Sequence, residues 1–141
     1  MSGLYSEEGY KLMGAAFEVY NEIGYGMAEE VYQECLEIEL QLRGIPFETK
    51  RPLSLRDKNC QLEKTYIPDL LVFSAIVVEL KSVKALVSDH EAQLFNTMRI
   101  ACQSVGYLIN FGHKDALGWR RYVLSDLHHC NDGTLICADL R

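Results

Sequence analysis

The sequence predicts an α/β fold with a mixed central sheet flanked by helices. Three observations carry that expectation. Two stretches with helical periodicity open the chain, two apolar runs of strand length lie side by side near its middle, and a third helical stretch separates those runs from two further strands. At 141 residues the chain has the size of one domain, expected over 1–141, with its core at about 6–124 and a tail at 125–141 that carries little pattern. A domain of this size buries about two-thirds of its unfolded surface and needs no disulfide or metal to fold.

The elements follow in order. Ser6 is a candidate cap for a first helix whose apolar stripe is Met13, Ala16, Phe17, Tyr20 and Ile23. Gly24-Tyr25-Gly26 breaks that period. A second helix starts at about Ala28, with Val31, Cys35, Ile38 and Leu42 as its apolar stripe, and Gly44 and Pro46 stop it. Phe47 to Leu55 reads as a strand, Asp57-Lys58-Asn59 as a turn, and Gln61 to Tyr66 as a strand that pairs back. Two strongly apolar strands come next, about 67–73 and 76–81, forming a hairpin; their near-continuous apolar character implies a sheet covered on both faces. Ser88-Asp89-His90-Glu91 has the spacing of a capping box, so a third helix is expected from Asp89 to about Gln103. Strands at 107–111 and 119–124 close the pattern.

Composition excludes several classes. Apolar residues make up 48% and charged residues 24%, as in ordinary globular proteins. The net charge of −6 argues against a histone-like basic coat. It is unevenly spread: residues 1–42 hold nine acids and one base, Lys11, whereas residues 43–141 hold thirteen bases and eleven acids, so the sheet region is slightly basic. No run approaches the ~18 apolar residues of a membrane helix, and residues 2–8 lack the pattern of a secretion signal. The five scattered cysteines then read as reduced thiols of a cytoplasmic protein. His113, His128, His129, Cys130 and Cys137 match no zinc-site spacing, and Gly24-Tyr25-Gly26 lacks the preceding strand of a dinucleotide fingerprint, so no organic cofactor is expected.

Chemistry concentrates in the central hairpin, where Pro68-Asp69 is followed ten residues later by Glu79-Leu80-Lys81. Three charged groups interrupt strands otherwise built for burial, and an unpartnered buried charge costs several kcal/mol. A divalent cation would offset that cost. Asp69 and Glu79 offer hard oxygen ligands suited to Mg²⁺ or Mn²⁺. Glu79 and Lys81, two apart, share one strand face. Asp69 joins them there only if the hairpin has a three-residue loop centred on Ser74, or a bulge. A flat two-residue turn would put the carboxylates on opposite faces.

Asp69 with Glu79-x-Lys81 resembles the signature of the PD-(D/E)XK nuclease superfamily. Gly26-Met27-Ala28-Glu29-Glu30-Val31-Tyr32 further resembles the GxxExxY family within it, and residues 8–124 are covered by similar pieces, among them His90-Glu91-Ala92-Gln93-Leu94 and Leu108-Ile109-Asn110-Phe111-Gly112. The resemblance implies a restriction-endonuclease-like core. It implies Asp69 and Glu79 as metal ligands, Lys81 as the catalytic lysine, Glu29 as an acid supporting the metal, often through water, and Gln93 as a residue that orders the site. Thr97 stands where many relatives of the RecB-like branch have a tyrosine. Plainer roles stand beside these. An acid at Glu29 suits a helix N-terminus anyway. Tyr32 fits a core aromatic with a satisfied hydroxyl as well as a group near the site. His90 fits either a first-turn residue or a contact to phosphate or to a metal-bound water.

The function so implied is a Mg²⁺- or Mn²⁺-dependent nuclease that hydrolyses phosphodiester bonds, with DNA as the expected substrate, by attack of a metal-activated water. The alternative is an inactive module of the same fold that binds nucleic acid or a protein partner. A homodimer would place two sites on the two strands of a duplex. No membrane partner is expected.

Overall fold

The central hairpin becomes the middle of a five-stranded sheet in the computed structural model, which describes residues 3–125. The helices are α1 (Ser6–Ile23), α2 (Glu29–Leu42) and α3 (Ser88–Ala101). The strands are β1 (Phe47–Thr49), β2 (Leu53–Asp57), β3 (Cys60–Tyr66), β4 (Leu70–Val72), β5 (Ile76–Lys81), β6 (Val105–Asn110) and β7 (Gly118–Val123). Sheet order is β1-β4-β5-β6-β7, with β2 and β3 forming a separate ribbon. Only β5 and β6 run parallel. A parallel neighbour needs a crossover, and α3 supplies it. The expected mixed sheet between helices is therefore present.

Both faces of the sheet are covered. Leu12, Ala16 and Val19 of α1 and Leu36 and Leu40 of α2 pack with Leu70, Val78, Leu80 and Ile109 on one side. On the other, Leu94 and Met98 of α3 and Leu53 and Leu55 of β2 pack with Leu71, Val77 and Leu108. Burying each such side chain contributes roughly 1.5–3 kcal/mol, which is why β5 is apolar apart from Glu79 and Lys81.

Several local expectations need correction. Ser6 is the first residue of α1 rather than its cap; Tyr5 holds the cap position in a left-handed conformation without a side-chain bond. The buried stripe of α1 includes Met13 and Ala16 but runs through Leu12 and Val19, leaving Phe17 exposed. On α2 the buried row is Tyr32, Leu36 and Leu40, while Val31, Ile38 and Leu42 face solvent, Leu42 at 77% exposure. The two rows lie one residue, about 100°, apart on the helix, so both satisfy the helical period and only packing selects between them. The strand expected over 47–55 is two strands in two sheets, broken where Lys50 takes a left-handed conformation (φ 48°) ahead of Pro52. The cap of α3 is Val87, one residue earlier than expected. Among the described residues Cys35 and Cys60 are free thiols; Cys130 and Cys137 lie outside the described residues. The patternless segment from His129 onward lies outside the described residues.

Candidate active site

The hairpin register decides which side chains can meet. β4 and β5 pair as Leu70↔Val78, Leu71↔Val77 and Val72↔Ile76, which leaves Phe73, Ser74 and Ala75 as a three-residue loop centred on Ser74. Phe73 and Ser74 are both left-handed (φ 56° each), and the Ala75 N–H donates to the Val72 carbonyl at 3.1 Å. Continuing the register one step places Asp69 opposite Glu79. Leu71 and Val77 belong to the α3 side of the sheet, so Asp69, Glu79 and Lys81, alternating in step with them, lie on that face.

The register sets the two carboxyls side by side on that face. Glu79 is only 6% exposed. Burial first, and then the charge of Asp69, push its carboxyl from the ordinary 4.5 up to about 8, against the opposing pull of Lys81 and Lys50. At neutral pH the Glu79 carboxyl therefore holds its proton. Asp69 is held from several sides. Its Oδ2 accepts the Leu80 N–H at 2.7 Å, its Oδ1 accepts Lys50 Nζ at 3.0 Å, and its carbonyl accepts the Lys50 N–H (3.2 Å) and Gln33 Nε2 (2.9 Å). The hydrogen bond to Asp69 raises the Lys50 pKa above the usual lysine value, aided by the charges of Asp69, Glu79 and Glu29 and opposed by partial burial.

Lys81 sits two residues beyond Glu79, and its ammonium donates to Gln93 Oε1 of α3 at 2.8 Å. Thr97, four residues on, is buried and donates back to the Gln93 carbonyl at 3.0 Å within the helix. The carbonyl of Lys81 accepts the Phe111 N–H at 2.8 Å. The loop after β5 is fixed by Asn110, whose amide bonds both the N–H (3.0 Å) and the carbonyl (2.9 Å) of Val83. Lys81 thus projects from a strand clamped on both flanks.

Glu29 opens α2 and lines a cleft of about 540 Å³ together with Glu30, Glu34, Glu37, Lys50 and Asp69. No group of three or more Asp, Glu, His or Cys side chains lies within joint metal-ligating reach among the described residues, so Glu29 is near the carboxylate pair without joining it. Gln33, one turn beyond Glu29, bridges Asp69 to Glu37 (2.8 Å). Gln33 and Lys50 are site residues that sequence reasoning passed over. A polar residue buried on the core side of α2 was the signal for the first. For the second, the sequence showed only a basic residue within a stretch read as one strand.

Tyr32 and His90 hold structure rather than opening into the site. The Tyr32 hydroxyl donates to the Gly24 carbonyl (2.6 Å) and accepts the Met27 N–H (3.1 Å), and its ring stacks on Phe111 at 4.4 Å. Gly26 has φ 87°, a conformation that suits glycine. The Gly-x-x-Glu-x-x-Tyr spacing therefore has a physical reading: glycine permits the turn, tyrosine staples it from one helical turn away, and the glutamate between them is presented to the cleft. His90 Nδ1 accepts the Val87 N–H at 3.1 Å and so caps α3.

The donor set fits a divalent cation. Two neighbouring carboxyls, one of them buried, are what a doubly charged ion would relieve, and Mg²⁺ commonly uses one or two protein carboxylates, its other ligands being water and phosphate oxygens. A second cleft of about 520 Å³, between α1 and β7, is lined by Tyr10, Phe17, Tyr107 and Trp119 among others, and none of its lining residues is acidic.

Residues 6–122 match the family model of the PD-(D/E)XK nuclease superfamily. The chain belongs to that superfamily. The matched span contains Asp69, Glu79 and Lys81, the residues whose spacing resembles that superfamily's signature. The crystal structure of SSO0001 is similar in fold, with a TM-score of 0.56 at 16% identity over 84% of this chain and 59% of that one. The chain thus matches about three-fifths of that protein's length. No curated protein matches. Among the described residues no helix is long and apolar enough to cross a membrane.

Proposed function

We propose that this PD-(D/E)XK protein is a Mg²⁺- or Mn²⁺-dependent nuclease that hydrolyses phosphodiester bonds in DNA, acting in the cytoplasm as a single domain over 1–141. The observation that carries the reading is the hairpin register that sets Asp69 opposite the buried Glu79, with Lys81 on the same strand face. We place it in the GxxExxY family on Gly26, Glu29 and Tyr32.

Asp69 and Glu79 would hold the divalent ion, which supplies Lewis-acid polarisation of the phosphoryl group and a lowered pKa for water. Lys81, held by Gln93 at 2.8 Å, orients the attacking water and offsets the negative charge that grows on the phosphate oxygens. Glu29, which lines the cleft at the start of α2, would support the ion through water. The acids of α2 repel a phosphate backbone, so the substrate lies toward Lys81 and α3. A homodimer would bring two such sites to the two strands of a duplex.

The test is incubation of purified protein with plasmid and single-stranded DNA, with and without Mg²⁺ or Mn²⁺. Cleavage that needs the ion and is lost in Glu79→Ala and Lys81→Ala supports the reading. Cleavage that survives in either variant overturns the assigned roles. No cleavage and no metal binding would favour a module that only binds nucleic acid or protein.

A further inference from the structure

Asp69 has two carboxylate oxygens, and they are occupied differently. Oδ2 satisfies the Leu80 N–H at 2.7 Å, a bond that the hairpin needs because a buried backbone donor must have a partner. Oδ1 meets only a side chain in the bonds that hold it, the Lys50 ammonium at 3.0 Å. An ion joining Asp69 to Glu79 must therefore contend with Lys50 for the same carboxylate.

The chain bends to bring that ammonium there. Lys50 follows β1 in a left-handed conformation (φ 48°), which is uncommon and strained for a residue with a side chain. Its own N–H is tied to the Asp69 carbonyl at 3.2 Å, so backbone and side chain both converge on one residue. The Lys50 side chain is still 53% exposed, against 14% for Asp69. It is free to leave, and the cleft beside it offers somewhere to go, since Glu29, Glu30 and Glu34 line the same space.

We propose that Lys50 is a placeholder cation, holding Asp69 Oδ1 in the metal-free protein and giving it up to the acids of α2 when a divalent ion binds. The inference rests on the metal-site reading above and adds a residue that the PD-(D/E)XK signature does not contain. Removing the ammonium removes both a competitor and a like charge, so metal binding should tighten.

The experiment is calorimetric titration of Mn²⁺ into metal-free wild-type protein, Lys50→Met, Lys50→Asn and Asp69→Asn, with thermal melts of each. Asparagine tolerates the left-handed backbone, so Lys50→Asn decides the matter if Lys50→Met does not fold. The Lys50 variants should bind Mn²⁺ roughly two- to fivefold more tightly than wild type, the scale of a partly exposed ion pair, and Asp69→Asn should lose binding. Lys50 variants that melt normally and bind with wild-type or weaker affinity overturn the placeholder role while leaving the metal site standing. If neither wild type nor the Lys50 variants bind, the metal reading falls and the placeholder with it.

Discussion

Replacing Glu79 by Gln should make the metal-free protein more stable, and increasingly so as pH rises. The Glu79 carboxyl titrates at about 8 in the folded chain against an ordinary 4.5, chiefly through burial. A raised acid pKa means that the folded state binds the proton more tightly than the unfolded state does. The associated stability is fully present below pH 4.5 and is lost as pH rises to about 8. Each unit in that window costs about 1.4 kcal/mol, so at pH 7 the wild type is about 3 kcal/mol below its acid-side value from this group alone. Glutamine imitates the protonated form and carries no titration. For a chain of this length that difference corresponds to roughly 6–12 °C in Tm. Thermal melts in EDTA at pH 5, 6, 7 and 8 read it out. The curves of wild type and Glu79→Gln should diverge with rising pH, and saturating Mn²⁺ should reverse the wild-type slope. A wild-type stability flat across that range, or a Glu79→Gln protein less stable than wild type at pH 8, would refute the reasoning.

Other perturbations act on separate parts of the site. Mn²⁺ binding at pH 7 should release about one proton, seen as a dependence of calorimetric heat on buffer ionisation enthalpy, and affinity should climb toward pH 8 and flatten above it. Gln93→Ala frees the Lys81 ammonium and should lower cleavage about 10–100-fold with Mn²⁺ affinity little changed, as expected when a group that orients the reacting residue is lost. Tyr32→Phe removes both bonds to the 24–27 loop and should cost about 1–2 kcal/mol in urea unfolding. Gly112→Ala would set a methyl 2.3 Å from the backbone of Val83 and should cost about 1–3 kcal/mol or more, displacing the loop that follows Lys81.

Much of this architecture was legible in the chain because the relevant signals are local. The spacing from Asp69 to Glu79 admits a shared face only with an odd loop, and the register supplies one centred on Ser74. The glycine, glutamate and tyrosine of the α2 entrance announce a turn, a presented acid and a staple within seven residues. What stayed hidden depends on contacts between distant segments. Both apolar rows of α2 have the helical period, and the choice of Tyr32, Leu36 and Leu40 is made by the sheet beneath them. Lys50 has no propensity for a left-handed backbone, so its bend toward Asp69 arises from tertiary bonds that no window of sequence contains. Gln33 reaches Asp69 across 36 residues for the same reason.

The central claim is that Asp69 and Glu79 jointly bind one divalent ion. Crystals soaked with Mn²⁺ and measured for anomalous scattering test it directly. The account predicts one peak bridging the two carboxylates, at roughly 2.0–2.3 Å from an oxygen of each, with Lys50 moved off Asp69. A peak elsewhere, or none with Lys50 still on Asp69 Oδ1, would contradict it.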